Sequence, residues 1–212
     1  MLTSTSTPVP SRLRRPAAVV LCAVAAGVVL GAVDLAGQLL LPYPWANLAN
    51  SPAVWAAAAF AFGAWVRGGP LRAAVAGVVL LLVAVEGYYL AAALVLDDEL
   101  ANLWSPATLI WLVAAVLAGL VFGPAGRAWR GDRWWPATIG LGLLGAVFVG
   151  EGIREFRLAN PSTGILLVVL GVAAIPLLGR SARQRLLGLA VLVPLAALGA
   201  AAYLAADLVT GI

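Results

Sequence analysis

The chain has 212 residues, of which 63% are hydrophobic and 10% are charged. Soluble globular domains carry about 25% charged residues, so this composition excludes a soluble domain and indicates an integral membrane protein surrounded by a lipid bilayer. The 13 basic residues are all arginines, and with 9 acidic residues they give a net charge of +4. Because the arginines lie between apolar runs, where they set orientation, we expect no nucleic-acid partner.

Several chemistries are excluded because the residues they need are missing. The chain has no histidine and no lysine, which leaves no imidazole ligand for haem, zinc or copper and no amine for a retinal Schiff base. Cys22 is the single cysteine, so it cannot form an internal disulfide, and we interpret it as a small hydrophobe. We therefore expect no cofactor, no metal site and no enzymatic activity.

The N-terminal residues 1–16 are rich in Ser, Thr and Pro and include Arg12, Arg14 and Arg15. This composition is typical of disorder, so we predict a disordered basic tail. The apolar run that follows, Ala17 to Leu41, is longer than the apolar region of a signal peptide and indicates an uncleaved first span.

Four residues of the first span fall on one face of a helix. Gly27, Gly31, Asp34 and Gln38 are spaced at i, i+4, i+7 and i+11. Small residues let two helices approach closely in a membrane, so this face is predicted to point into the bundle and to bring Asp34 with it.

Six further apolar runs predict six further helices, because a bilayer is crossed by about 20 apolar residues. They run from about Pro52 to Val66, Leu71 to Leu96, Leu103 to Gly123, Pro136 to Phe156, Pro161 to Leu178 and Leu186 to Val209. The predicted fold class is an all-α, polytopic transmembrane helical bundle of seven spans, which forms a single domain over residues 17–212.

The positions of the arginines predict the orientation of this bundle. With the N-terminus in the cytoplasm, 11 of the 13 arginines lie in cytoplasmic segments, and only Arg154 and Arg157 lie outside. Cytoplasmic loops carry the excess of basic residues in membrane proteins. We therefore predict a cytoplasmic N-terminus and a C-terminus outside.

A weak internal repeat accompanies the helix starts. Ser-Pro at 51–52, Ser-Pro at 105–106 and Asn-Pro at 160–161 each open a helix, about 55 residues apart. The pattern is typical of three hairpins that start near 51, 105 and 161. Ser before Pro is also ordinary helix capping, so both interpretations stand.

Two glutamates lie inside apolar runs. Glu86 and Glu151 each follow a glycine nine residues earlier and precede another glycine. Each lies about 22 Å from the inner end of its helix, and Asp34 lies about 26 Å up, at 1.5 Å per residue. An acid at such a depth is costly unless it is neutral, paired or solvated, which makes it a functional candidate.

Helical spacing adds neighbours to these acids. Tyr89 shares a face with Glu86, and Arg154 shares a face with Glu151 and is predicted to pair with it. Asp207, near the C-terminus, is expected to be solvated at the membrane boundary. The predicted ligand-binding cluster near the outer surface comprises Asp34, Gln38, Glu86, Tyr89 (or its neighbour Tyr88), Glu151 and Arg154.

Two functions from different classes remain open. The cluster could serve the transport or binding of a small cation, an amine or a proton at an outward-facing site. Alternatively, the acids only tie the first, third and fifth helices together by hydrogen bonds, and the chain is a structural or accessory subunit with a membrane-protein partner.

Short motifs in a fixed order carry a resemblance to a known family. They are Asp34 and Gln38, Leu-Ala-Asn-Ser-Pro-Ala-Val-Trp at 48–55, Gly-Tyr-Tyr at 87–89, Leu-Val-Phe-Gly at 120–123 and Gly-Glu-Gly at 150–152. In these motifs the chain resembles an uncharacterised family, a domain of unknown function, of small multi-spanning bacterial membrane proteins. The resemblance implies a location in the bacterial inner membrane and implies no activity.

Overall fold

A computed structural model describes residues 16–210, and the predicted disordered tail lies almost wholly outside this range. The regular structure of residues 16–210 is helical throughout, which confirms the all-α prediction. The α-helices are α1 (Pro16–Leu40), α2 (Trp45–Ala49), α3 (Pro52–Trp65), α4 (Pro70–Val95), α5 (Pro106–Trp129), α6 (Trp134–Arg157), α7 (Pro161–Leu178) and α8 (Ala182–Thr210), with a 3-10 turn at Leu100–Trp104 before α5.

Within residues 16–210, six helices are long and apolar enough to cross a membrane, so the chain is a multi-pass membrane protein. They are α1, α4, α5, α6, α7 and α8. The predicted second span is α3, which has only 14 residues. Its length of about 21 Å falls short of the roughly 30 Å hydrocarbon core, so α3 enters the bundle without the length of a full span.

Four predicted helix ends differ from the structure. The start of α5 is later than the predicted Leu103 because a 3-10 turn precedes it, and at the three other ends charge or proline interrupts an apolar run without ending the helix. α5 starts at Pro106 and continues through Pro124 to Trp129, where the sequence indicated a loop from Gly123. α6 starts two residues early, with Pro136 in its first turn, where a missing N–H costs nothing. α8 starts at Ala182 because the Ser181 hydroxyl accepts the Gln184 amide and caps it.

The helices pack as two groups that meet at α3, α5 and α6. α4 packs against α1 and α5, and α3 packs against α5 and, less extensively, against α4. α6 packs against α7 and α8 in the second group and reaches α5 and α3 in the first. Within its most apolar stretch, 67% of α6 is buried, the highest share among the six candidate spans of residues 16–210.

Glycines set the distances between the neighbouring helices. Gly27 and Gly31 of α1 lie against the α4 backbone, at the Leu80 and Ala84 carbonyls, as the predicted small-residue face requires. Gly126 of α5 lies against the Phe60 carbonyl of α3 in the same way. In a bilayer the hydrophobic effect does not drive helices together, because lipid tails are as apolar as the side chains. Helices there associate through close packing of this kind.

The Gly126 contact supplies a test of the α3–α5 packing. Gly126→Ala adds a methyl group where the Phe60 carbonyl already lies, so the free energy of unfolding should fall by about 1–3 kcal/mol. Gly69→Ala is the matched control, since a methyl group there meets no atom within 4 Å. Thermal unfolding of both variants in detergent measures the difference, and equal melting temperatures would contradict the packing.

Candidate functional site

A cavity of about 160 Å³ lies among α1, α3, α4 and α5. The cavity lies toward one end of the bundle, and the turns that carry most of the arginines lie at the other end. The lining includes Asp34 of α1, Trp55 of α3, Tyr88 and Tyr89 of α4, and Trp111 of α5, together with Asn50, Pro52 and small apolar residues. The cavity therefore contains one carboxylate, four aromatic side chains and one amide.

Asp34 is the buried charged member of this cavity, with 3% of its surface exposed. The glycine face of α1 brings it there, because Gly27 and Gly31 seat the helix directly on α4. Its Oδ1 atom accepts a hydrogen bond of 3.4 Å from the Gln38 side chain one turn later. Its Oδ2 atom is buried and accepts no hydrogen bond of normal distance and angle within residues 16–210, although the Trp55 side chain is close enough to interact favourably with the carboxylate. A buried carboxylate oxygen without a well-formed hydrogen bond is costly, so this atom has capacity for a ligand.

The aromatic walls suit a positive charge. Tyr88 and Tyr89 contact each other edge-on, with ring centroids 5.3 Å apart. Trp111 is 43% exposed, which places one wall of the cavity at the protein surface. The faces of aromatic rings carry partial negative charge and attract cations, most strongly cations that have shed their water.

Glu151, a residue of α6, lies outside this cavity and contacts the N-terminus of α3. Its Oε2 atom accepts hydrogen bonds from the Ala53 amide at 2.7 Å and from the Ser51 hydroxyl at 3.0 Å. The Tyr203 hydroxyl of α8 donates to the same atom at 3.4 Å. Glu151 is 4% exposed, so these bonds form inside the protein. The carboxylate thus meets the positive end of α3 and satisfies an amide that the helix itself leaves open.

The first turn of α3 connects Glu151 to the cavity. Ser51 caps the helix by accepting the Val54 amide while its hydroxyl donates to Glu151. Pro52 and Trp55, in the same turn, line the cavity beside Asp34. Glu151 therefore positions one wall of the cavity without lining it.

Arg154 pairs with Asp207, and the predicted pair with Glu151 is wrong. The Arg154 guanidinium donates to Asp207 Oδ1 from Nε at 2.9 Å and from Nη2 at 2.8 Å. Arg157 approaches the other Asp207 oxygen at 3.7 Å. Asp207 is 3% exposed, which also corrects its expected solvation. The reason is the packing of the helices. α8 lies beside α6 and brings Asp207 to the arginines, whereas Glu151 accepts hydrogen bonds from the first turn of α3.

Glu86 joins neither group. It is half-buried, and within residues 16–210 it forms no hydrogen bond or ion pair. Helical spacing puts it on the same face of α4 as Val75 and Leu90, which are 49% and 47% exposed. Tyr89, predicted to act with Glu86, instead lines the Asp34 cavity.

The predicted cluster thus divides into separate places. Asp34 and Tyr89 line the cavity, and Gln38 is hydrogen-bonded to Asp34. Glu151 is bonded to the first turn of α3, and Arg154 is bonded to Asp207. Glu86 contacts neither the cavity nor these pairs. The sequence reasoning missed Trp55 and Trp111, which lie on helices without acids and so drew no attention. Ser51, Pro52 and Trp55 belong to the motif at 48–55, and this motif is the sequence signal that points to this part of the cavity.

The family comparison places this chain in a group without an assigned activity. The Family of unknown function (DUF6518) matches residues 10–209, nearly the whole chain, so the chain belongs to this family. This confirms the resemblance to an uncharacterised domain family. No curated protein and no solved structure is similar enough to this chain to count as a match.

The hydrogen bonds of Glu151 predict a stability difference between the two intramembrane glutamates. Glu151→Ala should lower the free energy of unfolding by about 2–4 kcal/mol, because the Ala53 amide and Ser51 hydroxyl lose a charged acceptor. Glu151→Gln should cost less, since its amide oxygen can still accept from Ala53. The matched control Glu86→Gln should stay within about 0.5 kcal/mol. Unfolding in detergent compares the three, and a cost for Glu86→Gln equal to that of Glu151→Gln would refute the assignment.

Proposed function

We propose that this protein binds a small organic cation of the amine or alkylammonium type in the cavity at Asp34. The observation that carries the proposal is the buried Asp34 Oδ2 atom, which accepts no hydrogen bond of normal distance and angle within the described residues, in a cavity with four aromatic walls. The carboxylate supplies the opposite charge, and the rings supply cation–π attraction that does not need water. Gln38 holds the other carboxylate oxygen and leaves Oδ2 for the ligand.

The size and the donors of the cavity favour a compact organic ion over a metal ion. Pockets for drug-sized ligands measure roughly 300–1,000 Å³, so a cavity of about 160 Å³ suits a ligand of few atoms. Hard metal ions take six or more oxygen ligands, whereas the side chains that line this cavity offer one carboxylate, one amide and two tyrosine hydroxyls. Across residues 16–210, no group of three or more His, Cys, Asp or Glu side chains could hold a metal.

The arginine count supports an orientation in which this cavity faces outward. The turns at 66–69, 130–133 and 179–181 lie at one end of the bundle, and the cavity lies toward the other. With the arginine-rich end in the cytoplasm of a bacterial cell, the chain has its N-terminus inside, and the cavity opens to the outer side of the inner membrane. Binding or transport of the cation from that side, without catalysis, is the role that we propose.

A structural or accessory role is the second candidate, and it rests on specific bonds. The buried pair of Arg154 and Asp207 joins α6 to α8, and Glu151 joins α6 to α3. These acids act in helix packing, as expected for a subunit that supports a membrane-protein partner. Asp34 differs from them because it lines a cavity and, within the described residues, contacts no arginine and no helix N-terminus.

Asp34→Asn tests the cation site. Tetramethylammonium should change the tryptophan fluorescence of the purified protein, because two of the cavity walls are indoles. Asp34→Asn should weaken this binding at least ten-fold, the equivalent of about 1.4 kcal/mol, through loss of the opposite charge. Glu86→Gln is the matched control, since Glu86 does not line the cavity, and it should bind as the parent protein does.

Two further ligands separate the candidate functions. Uncharged tert-butanol, which is similar in size and shape, should not compete because it lacks the positive charge. Sodium should compete poorly because the cavity has few oxygen ligands. If neither the parent protein nor the control binds tetramethylammonium, the binding role is refuted and the accessory role is favoured.

A further inference from the structure

A second cavity, of about 320 Å³, lies at the opposite end of the bundle. It is formed by the turn between α5 and α6 and by the start of α8, and it is lined by two arginines, one acid and several neutral polar groups. The polar and aromatic side chains of its lining are Asp132, Trp134, Arg180, Ser181, Arg183 and Gln184. Two guanidinium groups against one carboxylate give this cavity a positive charge.

Arg180 is held rigidly at this cavity. Its Nη1 donates to the Gly131 carbonyl at 3.0 Å and its Nη2 donates to the Trp129 carbonyl at 2.6 Å, so it ties the two turns together. Its guanidinium also lies over the Trp129 ring at 5.5 Å. A guanidinium has five N–H donors, so two bonds to carbonyls leave others for a ligand.

Arg183 has a fixed position but no hydrogen-bonding partner in the described part of the chain. Within residues 16–210 it makes no hydrogen bond or ion pair, but its guanidinium stacks over the Trp134 ring at 4.6 Å. Stacking on an aromatic ring fixes the plane of the guanidinium and leaves its N–H edge open. A residue that only sets membrane orientation needs neither a cavity nor a stacking partner.

The tryptophans also locate this cavity at the membrane boundary. Trp134 and Trp135 are 53% and 47% exposed and adjoin the last polar turn before α6. Tryptophan is enriched where a protein passes from hydrocarbon into the headgroup layer. Basic pockets between transmembrane helices at this level receive the headgroups of anionic lipids.

We infer that this cavity is a phosphate-binding site, in which Arg183 and Arg180 bind the phosphate group of an anionic lipid headgroup. The planar fork of a guanidinium matches two phosphate oxygens, which a single ammonium group does not. The Ser181 hydroxyl and the Gln184 side chain line the same cavity and add polar contacts beside the arginines. The site is independent of the Asp34 cavity, since no lining residue is shared.

Arg183→Gln tests the site, because it removes the guanidinium and its stacking on Trp134 without breaking a hydrogen bond or ion pair within residues 16–210. Native mass spectrometry of the full chain with phosphatidylglycerol should show a retained lipid, and Arg183→Gln should weaken its retention about five-fold. The matched control is Arg67→Gln, which removes an arginine from a different turn at the same end. It should retain the lipid as the parent protein does, and neutral phosphatidylcholine should not be retained.

Each alternative result either supports or refutes the phosphate-binding site. If inorganic phosphate displaces the lipid or stabilises the protein equally well, the phosphate site stands and its natural ligand is a soluble phosphate. If Arg67→Gln weakens retention as much as Arg183→Gln does, the binding is general attraction to positive charge and the inference fails. Equal retention of phosphatidylcholine, or no retention of either lipid, also overturns it.

Discussion

The Glu151 carboxylate accepts hydrogen bonds from the Ala53 amide and the Ser51 hydroxyl, and the place of α3 in the bundle depends on these bonds. α3 is too short to reach both membrane faces, so its first turn opens inside the protein. Backbone amides in such a position have no water to bind and must be satisfied by protein groups. A glutamate on α6, the most buried of the candidate spans in the described chain, satisfies one of them and draws the two helix groups together.

This bond also explains why the Asp34 cavity exists. The first turn of α3 presents one side to Glu151 and the other side, with Pro52 and Trp55, to the cavity. Asp34 and Glu151 are both buried acids, but their contacts differ: Glu151 Oε2 accepts hydrogen bonds from Ser51 and Ala53, whereas Asp34 lines a cavity.

The sequence predicts those features that a single helix determines. Hydropathy locates the helices because apolar runs must lie in lipid, and the spacing of Gly27, Gly31 and Asp34 indicates the buried face of α1. What it misses depends on the neighbour of each helix. Arg154 lies one turn from Glu151, and spacing alone favours that pair. The actual partner, Asp207, is distant in sequence and becomes visible only when α8 lies beside α6.

Arg154 and Arg157 show how topology and packing agree. One end of the bundle has few basic residues, and Arg154 and Arg157 are the two arginines that lie there. Both approach the buried Asp207. Glu155 also lies 3.7 Å from Arg154, so two carboxylates lie beside the two guanidinium groups, and these arginines add little positive charge to the end that carries Asp34. At the opposite end, Arg183 keeps its charge free over Trp134. The arginines at the two ends therefore differ in their contacts: Arg154 and Arg157 approach Asp207 at one end, whereas Arg183 at the other end stacks on Trp134.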